Sequence, residues 1–342
     1  MLDINRKWKE KMDNSYELIS IGDASMDAFM TPTESETLCQ IDTKECFIAF
    51  SYGDKIPVKD LVFSTGGNAA NNAVGSKRLG INVAIVLTLG DDSIGNLIIE
   101  KLKSEGVGMD YVVRQPGTVS NYSTVVNYSG ERTIFVYHAP RTYDFPREIP
   151  APAWVYLTSM GEAYLPFYQK VVEWLEQNPD TRLAFNPGSY QVRAKNEDLE
   201  AVLKRTHVIF VNRQEAGKLT GADIDNGKEK ELLKALSSLG PKIPVITDGG
   251  NGSYLFDGSK FFKAGILPVD AFQRTGAGDA FGSGCLSAII KGKPLEEALM
   301  WGTVNSASVI GYQGPQKGLL KESQIEEWKQ RFISSKVELG EF

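Results

Sequence analysis

A glycine-rich turn that contains an acid is the most chemically informative segment of the sequence. Residues 274–284 read Arg-Thr-Gly-Ala-Gly-Asp-Ala-Phe-Gly-Ser-Gly, and an apolar segment at helical spacing follows. Backbone N–H groups in the first turn of a helix lack intrahelical partners, so they favour an anion. Asp279 would stand beside that anion, where a carboxylate can accept a proton from a hydroxyl that attacks a phosphoryl group. The alternative is that Asp279 only caps the helix.

Two other nucleotide-binding motifs match the sequence less well. Gly276, Gly278 and Gly282 form a GxGxxxG pattern, but residues 271–274 do not read as the strand that precedes a dinucleotide-binding turn. The nearest approach to a P-loop, at 221–229, has the wrong spacing and Glu in place of the hydroxyl residue. Any phosphoryl transfer by this chain is therefore predicted to proceed without a P-loop.

A second segment of small and amide residues lies near the N-terminus, at 64–75. Asn68 and Asn71 are one helical turn apart, so they could share a face. Amide side chains offer donors and acceptors together, which suits a ligand rich in hydroxyl groups. The alternative is a tightly packed helix start with Asn as its cap.

Composition excludes several classes of protein. The 342 residues carry a net charge of −6, unlike a dedicated nucleic-acid binder. Cys39, Cys46 and Cys285 cannot form a disulfide framework, and a metal site or triad based on histidine would need His138 or His207. Because the N-terminus lacks an apolar signal core and no apolar run approaches about 18 residues, we expect a cytoplasmic protein that contacts no membrane.

Buried strands alternate with helices along most of the chain. The continuous apolar run at 83–89 is typical of a parallel strand covered on both faces, and 96–105 follows at helical spacing. Residues 111–138 are instead rich in β-branched and aromatic residues. We therefore predict an α/β fold whose doubly wound, mostly parallel sheet is flanked by helices and carries a small β-sheet lid. The predicted divisions are an N-terminal arm (1–15), the α/β core (16–334), a lid inserted from about 28–60 and 111–138, and a C-terminal tail (335–342).

The two glycine-rich segments together resemble the two signatures of the ribokinase-like (PfkB) carbohydrate kinase family. The matching residues are 66–73, Gly-Gly-Asn-Ala-Ala-Asn-Asn-Ala, and 275–281, Thr-Gly-Ala-Gly-Asp-Ala-Phe. The likeness extends from about residue 17 to 334, and further landmarks follow in order: Gly22-Asp23 with Asp27, 90–95, the NxxE motif at 212–215, and 247–252.

The resemblance implies an ATP-dependent kinase that uses Mg²⁺ and phosphorylates a hydroxyl of a small sugar. Asp279 would be the catalytic base, with the N–H groups of Gly276, Ala277 and Gly278 as the anion hole. Residues implied to bind the sugar are Asp27, Ser25, Gly67, Asn68 and Asn71. Residues implied to bind the nucleotide are Asn212, Thr247, Gly249, Gly252 and Asn305, with Thr303 as the alternative to Asn305. Glu215 would hold Mg²⁺ through water, and lid closure would exclude water from the reaction.

Two departures from the family pattern bear on function. Gln273 and Arg274 stand where the family usually has Asp-Thr, and Gly318 stands where relatives that use a monovalent cation often have another ligand. Both features argue against activation by K⁺. Asn186 follows a core strand where many members have Asp, which would alter metal or phosphate handling.

The acceptor is not fixed by these residues. A simple sugar such as ribose, fructose or a keto-deoxy sugar acid is favoured by Asp27, Asn68 and Asn71. The second hypothesis is that the acceptor is a nucleoside, since aromatic residues of the predicted lid could stack on a base: Phe29, Tyr122, Tyr128, Phe135 and Tyr137. The third hypothesis is that the acceptor is a phosphosugar, whose phosphate could be bound by one of three cations: Lys55, Arg132 and Arg141.

An alternative hypothesis is that the chain is not an enzyme but a sugar-binding regulator with a decayed kinase site. Gln273 and Asn186 favour this hypothesis, whereas the intact base, anion hole and NxxE motif oppose it. The expected partners are a sugar and ATP, without nucleic acid, and a homodimer through the lid edges.

Overall fold

The computed structural model describes residues 16–39, 46–128, 131–146, 148–194 and 196–342. Within them, ten strands form one central sheet. In spatial order these are β16 (Leu339–Glu341), β15 (Phe261–Ala264), β14 (Ser253–Phe256), β13 (Ile243–Thr247), β12 (Thr206–Asn212), β11 (Arg182–Asn186), β10 (Trp154–Thr158), β1 (Leu18–Ile21), β6 (Val83–Gly90) and β7 (Gly108–Gln115). Neighbours from β13 to β7 are parallel, and the pairs from β13 to β16 are antiparallel.

Helices cover both faces of this sheet. One face carries α1 (Asn68–Arg78), α2 (Ser93–Ser104), α8 (Ala277–Ile290), α9 (Leu295–Ile310) and α10 (Glu322–Ser334). The other carries α3 (Leu165–Gln177), α5 (Asn196–Arg205), α6 (Arg213–Thr220) and α7 (Glu229–Ser238), and a short helix α4 (Ser189–Arg193) lies nearby. None of the helices in the described ranges is long and apolar enough to cross a membrane.

The apolar strands are buried on both sides, as the sequence predicted. In β1, Leu18 packs in the core beneath α1 and α8, whereas the next residue, Ile19, packs in the core of the opposite face. Every residue of β6 is buried. Because β1, β10, β11 and β12 are parallel neighbours, their carboxyl ends lie along one edge of the sheet. Open α/β sheets bind ligands at this edge.

The lid is a separate four-stranded sheet in the order β5 (Val58–Gly66), β2 (Ser25–Pro32), β8 (Asn121–Tyr128) and β9 (Glu131–Tyr137). The strands β3 (Glu36–Cys39) and β4 (Cys46–Ala49) form a hairpin beside it. The outer face of the lid sheet exposes apolar side chains that include Leu61, Phe63 and Phe135. The homodimer through the lid stays a prediction.

The structure differs from the sequence-based expectation at four places. β7 belongs to the central sheet, parallel to β6, so the second lid segment begins after it. The expected C-terminal tail contains β16, which pairs with β15. Cys39 and Cys46 form a disulfide across the β3–β4 hairpin, although the cysteine count predicted no framework. Helices α4, α5 and α6 were not predicted. The predicted N-terminal arm (1–15) lies outside the described residues.

The two helices that begin at the glycine-rich segments pack directly against each other. A Cβ on Gly75 of α1 would lie 2.4 Å from Ser283 Oγ of α8. Small residues therefore allow α1 and α8 to approach closely. This contact brings the starts of the two helices, which are about two hundred residues apart in sequence, to the same edge of the sheet.

Candidate active site

Most of the sequence-predicted site residues line two adjoining clefts at the carboxyl edge of the sheet. A cleft of about 560 Å³ lies between the core and the lid sheet. The predicted residues that line it are Ser25, Asp27, Gly67, Asn68, Asn71, Asn212, Glu215, Thr247, Gly276, Gly278 and Asp279. A second cleft of about 430 Å³ is lined by Thr247, Gly249, Gly252, Ala277, Gly278 and Thr303. Thr247 and Gly278 line both clefts. After the ligands that the sequence resemblance implies for them, we name the first the acceptor cleft and the second the nucleotide cleft.

Asp279 lies in the first turn of α8, where its carboxylate meets an amide of α1. Asn71 Nδ2 donates to Asp279 Oδ2 over 2.7 Å, and Gln316 Nε2 donates to Asn71 Oδ1 over 3.0 Å. Because the buried Gln316 donates to the Asn71 amide oxygen, the NH₂ group of Asn71 is the end that faces the carboxylate. Loss of hydration raises the pKa of Asp279 to about 6, which the Asn71 hydrogen bond opposes and the charges of Glu215 and Asp27 reinforce. A carboxylate with this pKa suits a general base near neutral pH.

The turn before Asp279 depends on Gly276. This residue caps α8 with φ +79°, and a Cβ there would lie 2.4 Å from Pro315 Cβ. Ala277 N–H donates to Arg274 O over 3.3 Å. Gly278 stands in the first turn with open space where its Cβ would be. The N-terminus of α8 therefore faces the junction of the two clefts with room for a phosphoryl group.

Asp27 comes from β2 of the lid sheet and is buried at the wall of the acceptor cleft. Ser25 Oγ donates to Asp27 Oδ1 over 2.9 Å, and Ser123 is a second hydrogen-bond partner. Loss of hydration raises the pKa of Asp27, and the two serine hydroxyls oppose that shift. A buried carboxylate of this kind can accept hydrogen bonds from sugar hydroxyls.

Asn68 is held by Asn186, the residue that replaces the more usual Asp. Asn68 Nδ2 donates to Asn186 Oδ1 over 3.3 Å, and Asn186 Nδ2 donates to Phe210 O over 2.8 Å. Thr158 Oγ1 donates to the Asn186 backbone carbonyl over 2.9 Å. The Asn186 amide thus uses its donor and its acceptor together, which a carboxylate could not do.

The NxxE motif forms a reciprocal helix cap at the cleft. Asn212 Oδ1 accepts from Glu215 N–H over 2.8 Å, and Glu215 Oε2 accepts from Asn212 N–H over 2.9 Å. Loss of hydration raises the pKa of Glu215. Arg213 Nε lies 2.8 Å from Asp248 Oδ2, which ties the start of α6 to the glycine-rich turn at 249–252.

Asn305 is not among the described residues that line the nucleotide cleft. It is fully buried, where Asn305 Nδ2 donates to Ala280 O over 2.8 Å and Asn305 Oδ1 accepts from Leu320 N–H over 2.8 Å. Thr303, on the same helix, does line the cleft. Of the two alternatives that the sequence left open for an adenine contact, the geometry favours Thr303.

Gln273 brings a neutral side chain to the place where the family usually has Asp. Its amide is buried, and neither Nε2 nor Oε1 has a hydrogen-bond partner among the described residues. A monovalent cation is held by anionic or carbonyl oxygens, and the carboxylate is missing at this position. The residues present therefore do not fit a K⁺ site that relies on that ligand, and no step below uses K⁺.

Asp23 lines the acceptor cleft, although the sequence assigned it no role there. Asp23, in the turn after β1, is buried and accepts hydrogen bonds from Tyr143 Oη over 2.9 Å and from Gly161 N–H over 3.1 Å. Loss of hydration raises its pKa, and the charge of Arg141 opposes the shift. Gly22-Asp23 was noted as a landmark, but Tyr143 lies in an irregular segment that gives no periodic signal.

Aromatic side chains occupy one side of the acceptor cleft. His138 and Tyr190 both line it and meet edge to face with ring centroids 5.6 Å apart. Of the five lid aromatics named from the sequence, Tyr137 alone is among the described lining residues. Phe29 is fully buried, and Tyr128 Oη donates to a backbone carbonyl.

The described residues contain no cluster of three His, Cys, Asp or Glu side chains that could hold a metal ion alone. Asp279 and Glu215 nevertheless line the same cleft. Mg²⁺ usually keeps several waters and binds through one or two carboxylates plus substrate phosphates. The carboxylates present fit Mg²⁺ that arrives with the nucleotide.

Comparison with known proteins places this geometry in a family. The sequence model described as "pfkB family carbohydrate kinase" matches residues 33–322. The ATP-dependent 6-phosphofructokinase of Thermoanaerobacterium thermosaccharolyticum is 24% identical over 313 residues, which cover 88% of this chain and 90% of the relative. The ribokinase of Bacillus subtilis is 28% identical over 280 residues, 77% of this chain and 86% of the relative.

Solved structures share the fold. The ribokinase of Arabidopsis thaliana, complexed with ribose and ATP, superposes with a TM-score of 0.75 at 20% identity, covering 92% of this chain and 98% of that one. The family match spans most of the chain, and the fold predicted from the sequence agrees with the structure. The chain belongs to the pfkB family of carbohydrate kinases.

Proposed function

We propose that the protein transfers the γ-phosphoryl group of ATP to a hydroxyl of a small sugar, with Asp279 as the general base. The observation that carries the proposal is the position of Asp279, whose pKa is about 6, in the first turn of α8 at the junction of two clefts. One cleft suits a hydroxylated acceptor, and the other suits a nucleotide.

The acceptor binds against Asp27, Asn68 and Asn71, whose carboxylate and amide groups accept and donate hydrogen bonds to hydroxyls. Asp279 accepts the proton of the attacking hydroxyl as the new O–P bond forms, while the bond from the γ-phosphorus to the β,γ-bridging oxygen breaks and ADP leaves. Negative charge on the transferring phosphoryl group is stabilised by the N–H groups of Gly276 and Gly278 at the start of α8, since the Ala277 N–H donates to Arg274 O. Mg²⁺ would neutralise phosphate charge, with Glu215 orienting its water ligands. Asp279 then releases the proton to solvent.

The nucleotide lies along the second cleft, with its phosphates toward α8. Thr247, Gly249, Gly252 and Thr303 line this cleft, and the two glycines have no side chain that would cover their backbone groups. Arg274 also lines this cleft, where a guanidinium can pair with phosphate oxygens. Closure of the lid sheet over the acceptor excludes water, which limits hydrolysis of ATP.

A nucleoside is the second candidate acceptor. The observation that favours it is the edge-to-face pair of His138 and Tyr190 on the wall of the acceptor cleft. Aromatic rings of this kind can stack on a base. A sugar ranks first because the Asp27 carboxylate and the Asn68 and Asn71 amides, which suit hydroxyl groups, line the same cleft.

The test is ADP release from Mg-ATP across a panel of sugars, sugar acids, nucleosides and sugar phosphates, with and without K⁺. The proposal expects turnover on one acceptor class and a fall of about 10³-fold or more in Asp279→Asn, since general base catalysis and charge placement are lost together. Gln273 predicts equal rates with and without K⁺. Ligand binding by both proteins without turnover by either would instead support the sugar-binding regulator.

A further inference from the structure

The acceptor cleft is lined by acids but by no Lys or Arg among the described residues. Its carboxylates are Asp23, Asp27, Glu215 and Asp279. The other polar lining groups near the lid are amides, hydroxyls and the imidazole of His138, and the lid strands add Val125, Ile134 and Val136. A ligand in this cleft meets neutral hydrogen-bonding groups and negative charge.

Arg141, one of three cations that the sequence offered for a phosphate, is already committed to the fold. It is buried, and its guanidinium donates to Thr88 O, to Val119 O over 3.1 Å and to Asn121 Oδ1 over 3.0 Å. Releasing these donors to a ligand would leave buried carbonyl oxygens unpaired. Arg141 therefore does not supply a free anion-binding group.

The other two cations lie elsewhere. Arg132 is exposed and lines a different surface cleft together with Arg274, and Lys55 is exposed outside the described lining of the acceptor cleft. Arg274 itself faces the nucleotide cleft. An Arg side chain is thus available to the nucleotide phosphates, whereas the described wall around the acceptor has neither Lys nor Arg.

We propose that the acceptor site selects uncharged hydroxylated molecules and rejects phosphorylated sugars and sugar acids. This inference rests on the proposed kinase function and narrows its substrate class. A phosphate or carboxylate in the cleft would lose hydration and meet like charges, and among the described lining residues it would find no Lys or Arg in return, with His138 as the basic side chain there. We expect kcat/KM to be at least about 100-fold higher for neutral acceptors than for anionic ones. This ratio corresponds to a difference of about 2.7 kcal/mol in activation free energy.

The test compares matched pairs that differ in charge. We would measure kcat/KM for ribose and ribose 5-phosphate, and for fructose and fructose 6-phosphate, with 2-keto-3-deoxygluconate as a sugar acid. The best neutral acceptor should exceed every anionic one by about 100-fold or more. An anionic acceptor used within tenfold of the best neutral one overturns the inference.

Failure of the kinase function is distinguishable from failure of this selectivity. If no acceptor supports turnover, calorimetric binding of the same pairs to the wild-type protein and to Asp279→Asn decides the selectivity alone. Binding of the neutral member only sustains the inference, and tighter binding of the phosphorylated member overturns it. Nucleosides belong to the same panel as uncharged acceptors.

A charge-addition variant provides a second test. Val136 faces the cleft from β9, so Val136→Arg would add a cation to its wall. We expect the ratio of kcat/KM for ribose 5-phosphate over ribose to rise at least tenfold. Thr133→Arg is the matched control, because Thr133 is exposed on the same strand and does not line the cleft in the described residues. An equal change in both variants would contradict an effect located in the cleft.

Discussion

Asn71 Nδ2 lies 2.7 Å from Asp279 Oδ2, and this hydrogen bond joins two glycine-rich segments that are 208 residues apart. The sequence resemblance implied that Asn71 binds the sugar. The structure shows instead a contact with Asp279, the residue that we propose as the base. Because a donor to the ionised form lowers the pKa of a carboxylate, Asn71 keeps the pKa of Asp279 from rising further.

We therefore predict a pH effect of Asn71→Leu. In the wild-type protein, kcat/KM should fall as the pH drops through about 6, because Asp279 must be ionised to accept a proton. Without the amide donor, the midpoint should rise by about one unit, since a hydrogen bond to a charged group contributes roughly 1.5–3 kcal/mol. The measurement is the pH profile of kcat/KM.

Asn68→Ala is the control for that profile. Asn68 lies on the same helix but contacts Asn186 and not Asp279. It should raise KM for the acceptor and leave the midpoint unchanged. A midpoint that stays near 6 in Asn71→Leu would show that the amide does not set the pKa of the base.

Gln316 should act on catalysis through Asn71. In Gln316→Glu the new carboxylate accepts rather than donates, so it draws the Asn71 NH₂ group and turns the amide oxygen toward Asp279. We expect kcat/KM to fall at least tenfold and the pH midpoint to rise. Gln316→Met removes the donor without adding charge and should have a smaller effect in the same direction. Equal profiles in wild type and Gln316→Glu would exclude this positioning role.

The ionised form of Asp279 should lower the free energy of unfolding. Its pKa is raised from 3.8 to about 6 in the folded state, so the folded state binds the proton more tightly and stability declines as pH rises through that window. Above pH 6 the cost is up to about 3 kcal/mol at 1.36 kcal/mol per pKa unit. Asp279→Asn should therefore be more stable than wild type at pH 8, with the gain shrinking between pH 6 and 4. Urea unfolding at pH 8 and 4.5 tests this, and an equal difference at both values would contradict it.

Asn186→Asp should weaken both the fold and the acceptor site. The Asn186 Nδ2 donor to Phe210 O would become a carboxylate oxygen facing a carbonyl. Leaving that buried acceptor unpaired costs about 1–3 kcal/mol, which urea unfolding at pH 8 would show. Repulsion between the new carboxylate and Phe210 O would move the side chain of residue 186 and, with it, Asn68, which donates to that side chain. KM for the acceptor should therefore rise. Unchanged stability and KM would mean that either residue serves at this position.

The fold was predictable where sequence periodicity is strong. The continuous apolar run at 83–89, the helical spacing at 96–105 and the apolar helical segment after the glycine-rich turn correspond to β6, α2 and α8. Helix α6 was missed because its buried stripe is short and its sequence is polar. β7 was placed in the lid because its composition matches that of the lid strands, and only its pairing with β6 separates them.

The site was predictable to the extent that it is local in sequence. The glycine-rich turns and the NxxE motif point to chemistry without knowledge of the fold. Gln316 and Tyr143 could not be found in this way, because each acts only by meeting a distant side chain, Asn71 or Asp23. Asn305 and Thr303 lie on one helix, and sequence spacing could not tell which side chain faces the cleft.

The glycines on either side of Ala277 should separate folding from catalysis. Gly276→Ala places a methyl group 2.4 Å from Pro315 at a φ of +79°, which should cost about 1–3 kcal/mol of stability and distort the turn that presents the N–H groups. Gly278→Ala adds a methyl group in open space within α8, so stability should hold or rise by about 0.5–1 kcal/mol.

The methyl group of Gly278→Ala, however, points into the junction where the phosphoryl group would sit. We expect kcat to fall at least tenfold in this stable protein, while Gly276→Ala loses activity and stability together. Thermal unfolding and ADP release, measured side by side, check both results. A stable Gly278→Ala protein with wild-type kcat would show that phosphoryl transfer does not pass over the start of α8, because nothing else in that variant has changed.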